Sequence, residues 1–396
     1  MPRFLHSTIL ALSLTALALL CTPSDASARK KPSRTAPAAT RPDDAPDLVT
    51  YGRRDDVMRF GAELAERRGL ELEWVLSALQ RARFVPVVTK AIMPPPAGTA
   101  KNWAAYRGRF VEPVRIRAGA AFWRANAHWL SLAEERYGVP PEIVVGIVGV
   151  ETIYGQQMGS FRTIDALATL AFDFPSGRKD RSTFFRDELE NFFVMCQGQR
   201  IDPLQPRSSF AGAMGMPQFM PSSALRYAID FDGDGRTDLA RSPADVIGSV
   251  AHYLAEFGWQ RDLPTRFEVA VPVDAADRAV LLGPDIVPSF TATEFSARGA
   301  RLSAAALAFD ATHPAPPTAT TGVAEAPASA APTDRRSAAP FMLALVELQN
   351  GDAAPSYVAG TSNFYAITRY NWSSYYALAV IELGEAVSRE VARTGR

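Results

Sequence analysis

Apolar positions in the first half of the chain recur at helical spacing. In "RRDDVMRFGAELAERRG" Val57, Phe60 and Leu64 fall three and four residues apart, and Gly69 closes the run. "ELEWVLSALQRARF" carries the same pattern up to Pro86. A single long amphipathic helix is predicted over 115–138, ending at Gly138. The pair Pro140–Pro141 then opens another helix, because proline is tolerated in a first turn. Further helices are predicted at 163–171, 181–197, 221–229 and 243–257, the last with Ser242 as N-cap and Pro243 at N1. After Trp259 the texture changes. "FEVAVPV" (267–273) alternates as a strand does, and "FMLALVEL" and "PSYVAG" read as strands joined by an "NGD" turn. "SSYYALAVIELGEAVSREVAR" closes the chain as an amphipathic helix. The predicted class is mainly α (α+β): a helical region over 48–261, a small β-rich region over 262–360, and a C-terminal segment over 361–396.

Two stretches fall outside this pattern. Residues 29–47 are rich in Pro and Ala and read as a tether, and 314–340 is a low-complexity insert. The N-terminus reads as a signal peptide over 1–28, with Arg3, the apolar "ILALSLTALALL" and the small-residue site "ASA". Export to the periplasm is expected. Leu20 before Cys21 is not the small residue that normally precedes a lipid-modified cysteine, so membrane attachment is expected to be absent or weak. Cys196 is then left without a disulfide partner and is expected to be a small buried residue.

The chain has 396 residues and is 47% hydrophobic, enough for a large core. Lys+Arg and Asp+Glu both number 42, which argues against a nucleic-acid binder held by bulk charge.

Four stretches carry candidate chemistry. "IVGVETIYGQ" places Glu151 beside an apolar helix stripe. There it either pairs with a buried arginine or, with its pKa raised by burial, serves as a proton donor. "SSFAGAMGMPQFMPSS" combines small residues with Gln218 between two prolines, which suits a sugar-binding turn or a tight helix crossing. "DFDGDGRTDL" sets Asp230, Asp232 and Asp234 at alternating positions before Gly235, with the Arg236 carbonyl next. That is the first half of a calcium loop or a solvated acidic turn. Arg241 stands where a bidentate glutamate normally closes such a loop, and Asp245 is the nearest replacement. "NFYAITRYNWSSYYALAV" is dense in tyrosine, whose faces suit pyranose rings and equally suit domain contacts.

Taken in order, "YGVPPEIVVGIVGVETIYG", "SFAGAMGMPQFMPSS", "DFDGDG" and "NFYAITRYN" resemble the membrane-bound lytic murein transglycosylase B family. The resemblance implies a lysozyme-like helical catalytic domain that cleaves peptidoglycan glycan strands between N-acetylmuramic acid and N-acetylglucosamine. It implies that Glu151 is the single acid/base and that the products end in 1,6-anhydro-N-acetylmuramic acid. Carried over motif by motif, the substrate-lining residues are Tyr106, Arg181, Ser209, Gln218, Tyr253, Tyr370, Asn371 and Tyr376. A structural Ca2+ would be held by Asp230, Asp232, Asp234, Arg236 and Asp245, with no organic cofactor.

Overall fold

The computed structural model describes residues 49–94, 101–312 and 341–395. The expected signal peptide, Cys21, the tether and the 314–340 insert lie outside the described residues. The helical body runs through α1 (Asp55–Arg68), α2 (Leu72–Gln80), α3 (Pro86–Ala91), α4 (Trp103–Gly108), α5 (Pro113–Ala125), α6 (Ala127–Tyr137) and α7 (Pro141–Thr152). It continues through β1 (Phe161–Arg162), α8 (Thr163–Phe172), α9 (Ser182–Gln199), β2 (Arg207–Ser208), α10 (Pro221–Tyr227) and α11 (Pro243–Glu256). The region that follows holds β3 (Arg266–Phe267), β4 (Val269–Ala270), α12 (Ala275–Leu282), α13 (Ala292–Ala297), β5 (Arg301–Leu302), α14 (Ala304–Thr312), β6 (Ala344–Asn350) and β7 (Ala353–Gly360). α15 (Ser362–Asn371) and α16 (Ser374–Thr394) return to the helical body.

α7 is the axis of that body. Every residue from Ile143 to Val150 is buried, so the helix is apolar all round, as a core helix must be. α16 lies against it almost backbone to backbone. A Cβ added at Gly146 would stand 2.2 Å from the Val380 carbonyl oxygen, and one at Gly384 would stand 2.0 Å from that of Glu142. Only glycine at both positions permits this spacing.

The predicted helix over 115–138 is two helices. Asn126 interrupts it, leaving the helical region at φ −122° and ψ 20° and donating its side-chain amide to the Phe122 carbonyl at 2.8 Å. A local side-chain hydrogen bond thus competes with the helical ladder. The predicted strand over 267–273 is also divided. β3 pairs with β7, while β4 pairs with β5 in a separate two-stranded sheet. Among its described residues, the region 262–360 therefore mixes short strands with three helices.

The β6–β7 hairpin joins two hydrophobic cores. Ala344, Val346 and Leu348 belong to the core of the helical body, whereas Leu343 and Leu345 belong to a smaller one with Phe267, Leu281 and Phe295. A strand buried on both faces reads as a continuous apolar run, which is why "FMLALVEL" shows no alternation. Cys196 is fully buried and free, and burial pushes its thiol up to about 12.

Candidate active site

Glu151 is the penultimate residue of α7, at the end where the helix leaves the core. The chain reverses there through three successive left-handed residues, with φ of 51° at Ile153, 56° at Tyr154 and 87° at Gly155. Left-handed backbone at a β-branched residue such as Ile153 is strained and must be held by its surroundings. Thr152 supplies part of that hold. Its hydroxyl accepts from the Gly155 amide at 3.0 Å and donates to the Met216 carbonyl at 2.9 Å. Tyr154 folds back against Gly119 and Gly149, whose added Cβ atoms would come within 2.3 and 2.4 Å of its hydroxyl. That hydroxyl is buried with no partner among the described residues.

The Glu151 carboxyl is only partly exposed. Burial raises its pKa from 4.5 to about 7, opposed by a hydrogen bond from the Tyr376 hydroxyl to Oε1 at 2.6 Å. A bond donated to the carboxylate favours ionisation, but here desolvation outweighs it. Tyr106, Tyr253, Tyr370 and Tyr376 surround this carboxyl. Burial pushes each phenol up, to about 12 for Tyr106, and the Glu151 charge adds to the shift in all four. The tyrosines also order one another. Tyr370 and Tyr376 stack with centroids 6.2 Å apart and 15° between planes, and Tyr253 lies 4.8 Å from Tyr370. The Tyr370 hydroxyl donates to the Pro217 carbonyl at 2.8 Å, and that of Tyr253 to the Arg369 carbonyl at 2.8 Å.

Gln218 stands on the neighbouring loop at φ 52°, between Pro217 and the Met214–Phe219 bridge. Its amide nitrogen donates to the carbonyls of Gly215 at 2.9 Å and Met158 at 3.3 Å. The Ser209 hydroxyl accepts from the Ala213 amide at 3.2 Å and so shapes the same loop. Asn371, the last residue of α15, is 8% exposed and its Oδ1 has no hydrogen-bond partner among the described residues. Arg181 lies 4.4 Å over the Phe184 ring. Burial lowers its pKa, as does the neighbouring Arg178, while Glu188 works the other way. Of these neighbours, Phe184 and Glu188 are on α9 and Arg178 precedes it.

Glu188 was missed in the sequence, although the signal was there. It shares a helical stripe with Phe185, Leu189 and Phe192, all fully buried. Its carboxylate accepts from the Ser222 amide at 2.9 Å and hydroxyl at 2.6 Å, anchoring the first turn of α10 behind the Gln218 loop. Thr152 and Tyr154 had no such signal, because their roles depend on contacts with distant segments.

In the acidic loop, carboxylate oxygens of Asp230, Asp232 and Asp245 lie within 4.8 Å of one another. Asp234 is not in that group, and Asp238 pairs with Arg241 at 2.8 Å. Asp245 accepts from the amides of Phe231 at 2.9 Å and Asp238 at 2.7 Å, tying both ends of the loop to α11. Burial raises the Asp245 pKa, and the charges of Asp232 and Asp230 raise it further.

One carboxyl at the end of a buried helix, ringed by tyrosines inside a mainly helical body, is a site that can give and take a proton. The chain belongs to the family described as "Transglycosylase SLT domain", whose profile matches residues 52–385. It is 34% identical over 346 residues to membrane-bound lytic murein transglycosylase B of Escherichia coli (strain K12), covering 85% of this chain and 84% of that protein. The soluble lytic transglycosylase SltB1 of Pseudomonas aeruginosa superposes with a TM-score of 0.70 at 35% identity, over 86% of this chain and 99% of that one. The Escherichia coli lytic transglycosylase Slt35 in complex with calcium superposes with a TM-score of 0.69 at 30% identity, over 89% and 100%. The chain is thus a lytic transglycosylase of peptidoglycan, and its fold is the mainly helical, lysozyme-like one. Among the described residues no helix is long and apolar enough to cross a membrane.

Proposed function

We propose that Glu151 alone carries both proton transfers of a non-hydrolytic cleavage. The observation behind this reading is a carboxyl held at a pKa of about 7, with a tyrosine as its hydrogen-bond partner and no carboxylate among the groups that shift it. Protonated Glu151 gives its proton to the glycosidic oxygen between N-acetylmuramic acid and N-acetylglucosamine, and the C1–O4 bond breaks. The 2-acetamido group of the muramyl unit assists at C1. Glu151, now a carboxylate, takes the proton of the muramyl 6-hydroxyl as O6 closes onto C1. The proton count balances, no water is consumed, and the product carries a 1,6-anhydro ring. A two-carboxylate glycosidase needs its second acid for water or as nucleophile. Here the substrate supplies the nucleophile.

In this reading Tyr106, Tyr253, Tyr370 and Tyr376 wall the subsite, Gln218 and Ser209 line it from the loop, and the free Asn371 acceptor receives a sugar hydroxyl or amide. Arg181 would meet a peptide stem or lactyl carboxylate farther out. The protein acts in the periplasm, delivered by the signal peptide at 1–28. The decisive experiment digests purified sacculi and weighs the products. Muropeptides one water lighter than hydrolysed ones support the lyase reaction. Reducing ends would make the enzyme a muramidase, and intact sacculi would make it a binding protein.

Tyr376→Phe tests the carboxyl's environment. It removes a donor that favours the ionised form, so the Glu151 pKa moves above its present value of about 7. The general acid is active when protonated, so the alkaline limb of the kcat/KM profile should shift to higher pH. Loss of the orienting bond should also lower kcat about tenfold or more. An unmoved alkaline limb would separate that limb from Glu151.

The acidic loop fits a divalent cation of the calcium type. Asp230, Asp232 and Asp245 offer hard oxygen donors from two segments within one ion's reach. Asp234 and the Arg236 carbonyl would complete the shell. A bound ion would be structural, pinning the loop to α11. Calcium at about 100 times its Kd should stabilise the fold by about 2.7 kcal/mol, read as a rise in Tm that EGTA reverses. Asp232→Ala should abolish that rise. Identical melting of wild type and variant with and without calcium would leave only an acidic turn.

A further inference from the structure

A cavity of about 280 Å³ lies between β6, the end of α12 with the segment after it, and the first turn of α16. Glu347 and Gln349 form its floor, two residues apart and therefore on one face of β6. Asp285 lines one wall, Ser374 and Tyr375 another, and Lys101 the remaining side. The walls are tied together. The Tyr375 hydroxyl donates to the Gln349 carbonyl at 3.0 Å, and the Gly351 amide donates to the Lys101 carbonyl at 3.0 Å. The Tyr357 hydroxyl donates to Glu347 Oε2 at 2.6 Å and fixes that carboxylate. Two aromatic rings separate this cavity from the catalytic carboxyl. Tyr375 meets Tyr106 edge-on at 5.8 Å, and Tyr106 feels the charge of Glu151.

The lining of the cavity carries charge of both signs. Lys101 and the positive end of the 21-residue α16 supply one sign, Asp285 and Glu347 the other. Lys101 and Asp285 are both exposed, and neither forms an ion pair with a described residue. A ligand with one charge would leave half of this set unanswered. A ligand carrying a carboxylate and an ammonium on one carbon answers both halves. The volume lies at the small end for ligand sites, suited to one amino-acid group rather than a disaccharide.

We propose that this cavity is a subsite for a zwitterionic α-amino-acid group, the chemistry presented by the free end of a diamino acid in a murein stem peptide. The carboxylate would face Lys101 and the α16 terminus, and the ammonium Asp285 and Glu347. The proposal rests on the reading of the substrate as peptide-bearing murein, but its test does not require turnover. The probe is the soluble tripeptide L-Ala-γ-D-Glu-meso-diaminopimelate, titrated by NMR against the full chain. The comparison peptide ends in L-Lys, which has the distal ammonium but no distal carboxylate. The diaminopimelate peptide should bind about tenfold tighter than the lysine peptide. Lys101→Met should erase that preference, and Asp285→Asn should weaken both peptides about tenfold. Equal affinity of the two peptides, variants that bind as wild type does, or no binding by about 10 mM would each overturn the subsite. In turnover, both variants should raise KM on peptide-bearing glycan and leave peptide-free glycan strands unaffected. Equal losses on both substrates would count against the proposal. Failure to cut either glycan would overturn the proposed reaction instead, and the titration would still decide the subsite.

Discussion

On the proposed mechanism, in which both proton transfers pass through one carboxyl, Glu151→Gln should lower turnover on sacculi by about 10³-fold or more. The same variant should be more stable than wild type above neutral pH. The folded-state pKa of Glu151 is raised from 4.5 to about 7, so wild-type stability is full below pH 4.5 and falls as pH rises through 7. That loss amounts to about 3 kcal/mol at most, an upper bound because Glu151 is partly exposed. Glutamine does not ionise and escapes it. Melting curves at pH 4 and pH 8 should therefore coincide for the two proteins in the first case and diverge in the second. A stability difference independent of pH would mean that the carboxyl ionises freely in the native protein.

Gly146→Ala should cost about 3 kcal/mol or more, near the upper limit for overpacking, because the added carbon meets a backbone carbonyl 2.2 Å away rather than a side chain that can turn. α16 must retreat to admit it, and α16 carries Tyr376. Activity should fall further than the loss of folded protein accounts for. Gly198→Ala is the control: nothing lies within 4 Å of the added carbon near the end of α9, so the change should be neutral or slightly stabilising. Denaturant titration of both variants checks the pair. Equal effects would mean that the α7–α16 contact is softer than its geometry.

The sequence showed Glu151 because one acid interrupts an otherwise apolar helix, and burial of that helix is written locally in its composition. It showed the acidic loop because Asp230, Asp232 and Asp234 alternate ahead of the Gly235 turn. It showed most helix ends because caps are local, as at Ser242, whose hydroxyl accepts from the Asp245 amide at 3.2 Å. What it did not show depends on distance along the chain. Asn126 breaks a helix through one side-chain bond that no apolar period registers. The β3/β4 division reflects two different partners, 302 for one strand and 359 for the other. Tyr376 was among the residues expected at the site, but its direct bond to Glu151 was not foreseeable from spacing. Nor was the placement of Arg181 against Phe184.

The hydrogen bond between Tyr376 and Glu151 joins residues 225 positions apart. Its consequence lies in the order of events during synthesis. A nascent chain holds its acid long before its phenol exists, and the bond closes a loop of 225 residues. The hydrogen bond that opposes the raised pKa of Glu151 is thus absent until α16 has been made and has docked. On the proposed mechanism, unfinished copies of the enzyme carry the acid without the setting that tunes it.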